Sequence, residues 1–315
     1  MLENTTNAVT PIAKNALSIS SHVVHGYVGN DALQFPLNLR NWNLDAIHTT
    51  KLSTHPGHGL DKITGTPTTP DEIRQLYKGL TKIQRHFEYD VIICGYMASA
   101  ENWLSVWEII CHSTSNNKGK NAKIIIDPVM GDNGNAYVSE KLVNSYIELL
   151  KKDEVTIDLL TPNKFEFETL VGCSIANISD LKIAIDNFWS LYPSVKNLVI
   201  TSVEMENKMI CVGCTRSERF YCIVEEVNAI FSGSGDLFLA ILTDEFTRNN
   251  LKISLAKTVA TVTKVLNLTH SISLGGNDAE VRHIRGKIYI PDLKIVQCRD
   301  ALEYCDDSNE IYPLT

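Results

Sequence analysis

Residues 231–240 read FSGSGDLFLA. Gly233 and Gly235 flank Ser234, Asp236 follows, and an apolar run with helical spacing (Leu237, Phe238, Ala240, Ile241) begins at once. Glycines admit backbone angles closed to other residues and let a ligand approach the main chain. The first amide N–H groups of a helix have no partner within it and stand at the positive end of its dipole. Gly233, Ser234 and Gly235 therefore read as an anion pocket suited to a phosphate in transfer, with the Ser234 hydroxyl as an added donor. A carboxylate would repel such an anion. Asp236 makes sense there as a general base aimed at the hydroxyl that receives the phosphoryl group. On this stretch alone, a plain helix cap is an equally open role for Asp236.

Two further motifs carry carboxylates. DPVMGD (127–132) offers Asp127 and Asp132, hard oxygen ligands of the kind Mg²⁺ takes, although Asp-Pro and Gly-Asp also favour turns. TPNKFE (161–166) sets Asn163 and Glu166 three apart at a helix start, on one face; Glu in a first turn also simply matches the dipole. The chain has no GxxxxGK[ST] loop and no GxGxxG after its first strand, so a nucleotide would be held in another way. His22, His25, His48, His55 and His58 cluster early but lack HExxH-type spacing, and no metal site is expected of them. Eight cysteines are scattered through the chain; the single CxxC, Cys211 to Cys214, lies in a strand-like run and reads as structural thiols.

The elements that position these motifs alternate along the chain. Strand-like runs at 16–20, 44–49, 91–95, 123–127, 158–160 and 197–202 are interleaved with helical patterns at 30–41, 101–112, 139–151 and 181–192. Thr69 and Pro70 with Glu72 form a helix start, after which Ile73, Leu76, Tyr77, Leu80 and Ile83 follow helical spacing and predict one buried face. A short helix should end at Gly172. MICVGC and ERFYCIVEE predict an antiparallel meander, and two long helices follow at 235–249 and 253–270. The polar stretch 112–123 reads as a surface loop. Such alternation predicts an α/β fold, a mostly parallel sheet with helices on both faces, as a single domain over 15–315 after a flexible tail over 1–14. Ligands of such sheets lie beyond the strand ends, where SSHVVHGYVGN, DPVMGDNG, TPNKFE and Thr201-Ser202 all fall.

Bulk properties narrow the function classes. The 315 residues are 44% hydrophobic, enough for a large core, and the net charge of −8 argues against a nucleic-acid partner. No run approaches the ~18 apolar residues of a membrane helix. The opening MLENTTNAVTPIAKN lacks a signal-peptide design, so a soluble protein of the cytoplasm, or of cytoplasm and nucleus, is expected.

Taken together, these motifs resemble the ribokinase-like superfamily and, within it, the pyridoxal kinase family, from about residue 16 to about 305. SISSHVVHGYVGNDALQFPL resembles that family's opening signature; DPVMGD, TPNKFE and FSGSGDLF resemble its nucleotide, metal and catalytic motifs, and KIVQCRDAL its terminal segment. The resemblance implies ATP-dependent phosphorylation of the hydroxymethyl group of a vitamin B6 aldehyde, with Mg²⁺ and a monovalent cation such as K⁺, in a homodimer. It carries the general base to Asp236 and the anion hole to the amides around Gly233, Ser234 and Gly235; many relatives have Thr where Ser234 stands. Nucleotide and cation contacts carry over to Asp127, Asp132, Thr161, Asn163, Glu166, Thr201 and Ser202. Substrate contacts carry over to Ser21, Val28, Tyr96 and His55, with Ser21 on the pyridine ring and Val28 and Tyr96 near its faces.

One segment departs from the pattern. The loop STHPGH (53–58) has Pro56 where the family often has Thr, and proline offers neither hydroxyl nor N–H. That leaves two other readings open: a related kinase acting on hydroxymethylpyrimidine, and a weakly catalytic protein that binds pyridoxal phosphate or nucleotide as a sensor or carrier.

Overall fold

The computed structural model describes residues 13–83, 89–115, 122–132, 134–206, 208–275, 282–304 and 308–315. β1 (Lys14–Val23) leads into α1 (Asn30–Leu39), and β2 (Trp42–Leu52) returns parallel to β1, with the short β3 (Gly65–Pro67) antiparallel at its edge. α2 (Pro70–Ile83) starts at a capping box: Thr69 Oγ1 accepts from Glu72 N–H, and the Glu72 carboxylate accepts from Thr69 N–H. Then come β4 (Val91–Cys94), α3 (Ala100–Ser115), β5 (Lys123–Ile126) and the paired β6 (Gly131–Asp132) and β7 (Asn135–Ala136). α4 (Glu140–Leu150) is capped by Ser139, and β8 (Leu159–Leu160) precedes α5 (Lys164–Val171), which ends on a left-handed Gly172. α6 (Ile178–Leu191) and β9 (Leu198–Met205) complete the alternation.

The chain then changes character. β10 (Lys208–Cys214) and β11 (Arg219–Val224) form the expected antiparallel meander, and β12 (Ala229–Phe231) delivers the chain to α7 (Ser234–Arg248) and α8 (Leu251–Gly275). β13 (Arg282–Ile284), β14 (Lys287–Ile290), α9 (Arg299–Glu303) and β15 (Ile311–Pro313) close the described chain.

Ten strands form the main sheet in the order β15-β11-β10-β9-β8-β5-β4-β1-β2-β3, and β12-β14-β13 form a small separate sheet. The run from β9 to β2 is parallel, so its strands are buried on both faces and read as continuous apolar runs. Alternate residues face opposite cores. Leu17, Ile92, Ile124, Leu160 and Ile200 join the helices from α2 to α6, whereas Ala16, Val91, Ile125, Leu159 and Val199 join α1, α7, α8 and α9. Within the second core, buried Arg40 donates to Asp244 Oδ2 at 3.1 Å and Glu245 Oε1 at 2.7 Å, while Trp42 Nε1 donates to Asp244 Oδ1 at 2.8 Å. These bonds lock α7 against the start of β2 and so fix where its N-terminus points.

Three expectations change. α3 runs on to Ser115, so residues 112–115 are helix rather than loop; 116–121 lie outside the described residues. On α2, Ile73 and Tyr77 are buried and Leu80 packs on the core, but Leu76 and Ile83 are 47% and 64% exposed. At 3.6 residues per turn these two sit about 60° and 80° round from Ile73, off the stripe that meets α3. Of the tail expected over 1–14, residues 1–12 lie outside the described residues, and Lys14 opens β1. Among the described residues no helix is long and apolar enough to cross a membrane.

Candidate active site

α7 begins on Gly233, whose φ of +79° is left-handed, and no described side chain caps it. A Cβ on Gly233 would collide with the carbonyl oxygen of Tyr27, so the helix mouth is pressed against the segment that follows β1. Gly235 differs. It has no left-handed φ, and a Cβ there would meet nothing within 4 Å. The expectation that both glycines supply unusual backbone angles is thus corrected: Gly233 does, while Gly235 keeps open space beside the first turn.

Asp236 is the third residue of α7, and its carboxylate faces the backbone N–H of Gly29 rather than capping the helix. Burial pushes its pKa up to about 6, against the pull of the Gly29 N–H; the Asp31 charge adds to the rise and His55 opposes it. Gly29 has φ +55°, and a Cβ on it would collide with Ser21. Two close backbone approaches, Gly233 on Tyr27 and Gly29 on Ser21, therefore bring Asp236, Ser21 and Val28 to one place.

Asp127 stands at the exit of β5, its N–H bonded to Cys94 O at 2.8 Å. Its pKa is raised well above the usual carboxylate range by burial and then by the charges of Glu166 and Asp236. Asp127 is thus within electrostatic reach of carboxylates from two other motifs. Glu166 is 2% exposed and serves two segments at once. Its Oε1 accepts from Met130 N–H at 2.9 Å, and its Oε2 accepts from Asn163 N–H at 2.8 Å. Burial outweighs these donors and holds Glu166 at about 7, with Asp132 adding to the rise. Asn163 reciprocates: Oδ1 accepts from Glu166 N–H at 3.0 Å and Nδ2 donates to Gly131 O at 2.7 Å. The capping box of α5 is also the clamp on the DPVMGD turn. Thr161 is buried with its hydroxyl on Ile126 O at 3.4 Å, and Thr201 N–H donates to Pro162 O at 2.9 Å. Ser202 is exposed with a left-handed φ of +56°, and β9 continues past it to Met205.

Crowded carboxylates whose pKa is raised by neighbouring charge are relieved by a divalent cation, and an all-oxygen donor set suits a hard ion. Asp127, Asp132, Thr161 and Glu166 fit Mg²⁺ on that ground.

On the other wall, Tyr96 N–H donates to Ser20 Oγ at 3.2 Å and Tyr96 O accepts from Thr49 Oγ1 at 2.7 Å, which fixes this residue at the exit of β4. His55 is 3% exposed; its Nδ1 accepts from Gly57 N–H at 3.2 Å, and its Nε2 lies 3.5 Å from Asp292 Oδ1. Pro56 is the first residue of a 3₁₀ turn capped by His55, a position where proline's missing N–H costs nothing.

Sequence reasoning missed the C-terminal sheet. Arg282 Nη1 donates to Gly57 O at 2.7 Å, the Tyr289 hydroxyl packs on Gly57 and bonds Ser232, and Asp292 faces three histidines. A groove along α8, lined by Glu225, Thr263, Lys264 and Asn267 among others, was likewise not foreseen. No local pattern marks these residues, because each acts across more than thirty positions of chain. The thiols of Cys211 and Cys214 are buried, free and pushed up to about 12 by burial, as structural thiols are.

The phosphomethylpyrimidine kinase family profile matches residues 66–281. A Saccharomyces cerevisiae protein provisionally named as a pyridoxal kinase, BUD17, is 37% identical over 92% of this chain and 93% of its own. The pyridoxal kinase of Homo sapiens is 32% identical over 89% of this chain and 96% of its own. Among solved structures, the pyridoxal kinase of Leishmania donovani in complex with ADP and pyridoxamine superposes with a TM-score of 0.83 at 26% identity, covering 96% of this chain and 100% of that one.

Proposed function

The chain belongs to the pyridoxal kinase family of the ribokinase-like superfamily, and from that premise we infer that it phosphorylates the 5′-hydroxymethyl group of pyridoxal and its vitamers with ATP. One observation carries the assignment of roles: Asp236 lies at the uncapped mouth of α7 and within electrostatic reach of Asp127, which Glu166 adjoins.

Phosphoryl transfer is mostly positioning and charge stabilisation. The amides of Gly233, Ser234 and Gly235 receive the γ-phosphoryl oxygens. Asp236 accepts the proton of the substrate hydroxyl, and the Gly29 N–H holds the carboxylate oriented for it. Asp127, Asp132, Thr161 and Glu166 would hold Mg²⁺, which would offset phosphate charge, and a monovalent cation such as K⁺ would assist. Asn163, Thr201 and Ser202 contact the nucleotide. Ser21 hydrogen-bonds the pyridine ring, Val28 and Tyr96 flank its faces, and His55 lines the substrate end of the site. A homodimer, in the cytoplasm, completes the proposal.

An ADP-release assay over a panel of hydroxymethyl substrates, with Mg²⁺ and K⁺ present, tests this. Turnover of pyridoxal, pyridoxine or pyridoxamine is expected. The family profile's own name and Pro56 favour a second reading, a hydroxymethylpyrimidine kinase, and turnover confined to that substrate would establish it. Vitamer binding without turnover would instead make the protein a sensor.

A further inference from the structure

The histidines that have no metal spacing in sequence come together in space. His25 Nε2 lies 3.6 Å from Asp292 Oδ2, and His58 Nε2 lies 3.1 Å from the same oxygen. The candidate ligand atoms of His25, His58 and Asp292 all fall within 4.8 Å of one another. A tetrahedral zinc-type ion with bonds of about 2.0–2.1 Å sets its ligands about 3.3–3.4 Å apart. Both histidine–carboxylate separations straddle that value. The His25–His58 separation, within 4.8 Å, can be adjusted by side-chain rotation, since the His25 side chain is 71% exposed.

The surroundings are organised for the ligand role. Because Nδ1 of His55 accepts from Gly57 N–H, its proton sits on Nε2, which points at Asp292 Oδ1 at 3.5 Å. Oδ1 is also 3.2 Å from His58 Nε2, and an imidazole such as that of His55 beside a ligating carboxylate is the kind of outer-shell neighbour that orients it. The backbone is packed in as well: a Cβ on Gly26 would lie 2.7 Å from the His55 ring and 3.0 Å from Asp292 Oδ1. Two imidazoles and one carboxylate, with a fourth position open to solvent on the exposed side of His25, suit zinc, cobalt or nickel rather than magnesium.

We propose that His25, His58 and Asp292 bind a divalent transition-metal ion of the zinc class, with His55 as the orienting residue behind the carboxylate. The three ligands come from three segments: the turn after β1, the 53–58 loop and the chain after β14. An ion there fastens the loop bearing His55 to the C-terminal sheet at the rim of the site. It is separate from the oxygen-ligand crevice around Asp127.

The test uses the full chain, stripped with a chelator and titrated with Co²⁺ without nucleotide. The visible ligand-field band distinguishes a tetrahedral nitrogen-containing site from a six-coordinate oxygen site. One saturable equivalent with a tetrahedral band is expected, displaced by Zn²⁺. His25→Gln, His58→Gln and Asp292→Asn should each weaken it by at least about tenfold, and Asp127→Asn should not. Exposed His25 makes His25→Gln safe for folding, and melting curves with and without Zn²⁺ should show a stabilisation in wild type that this variant loses. No tetrahedral band, or one that survives all three substitutions, would leave only a hydrogen-bonded histidine–carboxylate cluster and overturn the proposal.

Discussion

The α-carbon of Gly233 is pressed against the carbonyl oxygen of Tyr27, with no room for a side chain between them. That contact joins the mouth of α7 to the turn after β1, and through it Asp236 meets the amide of Gly29. Gly233→Ala is expected to destabilise the fold, by at least the ~1–2 kcal/mol of a left-handed residue with a Cβ, together with the collision. Gly235→Ala should melt at the same temperature or slightly higher, since alanine in a helix gains about 0.5–1 kcal/mol over glycine. Its turnover should nevertheless fall, because the methyl enters the space reserved for phosphate. Full activity in folded Gly235→Ala would remove the phosphate seat from that turn.

Asp236→Asn keeps the shape of the side chain and removes the base. Turnover is expected to drop on the order of 10²–10⁴-fold with ATP affinity little changed. Single-turnover kinetics beside nucleotide titration check both halves, and near-normal turnover would strip Asp236 of its role.

The same carboxyl links stability to pH. Its folded pKa, about 6, is above the ordinary 3.8, so the folded state holds the proton more tightly. This stabilising contribution is complete below 3.8 and lost as pH rises through about 6. Between those values wild type should lose melting temperature faster than Asp236→Asn, which should be the more stable protein at pH 7. Turnover runs the other way, rising with pH to a plateau above about 6 as the base ionises. Parallel pH–stability profiles for the two proteins would contradict the assignment.

Glu166 accepts from Met130, Gly131 and Asn163 N–H groups while crowding Asp127 and Asp132. Glu166→Ala strands those donors, at about 1–3 kcal/mol for each that stays buried. Melting without nucleotide should therefore show a loss. A gain would mean that charge repulsion outweighs the clamp and that Glu166 serves only the cation.

Pro56 is exposed and begins a single 3₁₀ turn. Pro56→Thr should change stability by less than about 1 kcal/mol and, by restoring a hydroxyl and an N–H, lower KM for pyridoxal. An unchanged KM would show that this position does not read the substrate.

Local physics made much of the fold legible. Thr69, Ser139 and Gly172 mark helix ends because capping is settled within four residues, and all three act as read. Strand runs between 16 and 202 stand out because a parallel sheet buried on both faces needs unbroken apolar sequence. The motif residues were legible as chemistry, but their spacing said nothing of what each oxygen touches.

By itself, the sequence determined the alternation of elements, the caps and the identity of the groups at each strand exit, since these depend on neighbours along the chain. Tertiary structure alone decided that Gly233 rather than Gly235 must be glycine, that Glu166 clamps two turns, and that His25 and His58 meet Asp292. The physical reason is distance along the chain: those contacts form only once the crossovers bring segments more than thirty, and in two cases more than two hundred, residues apart onto the same rim.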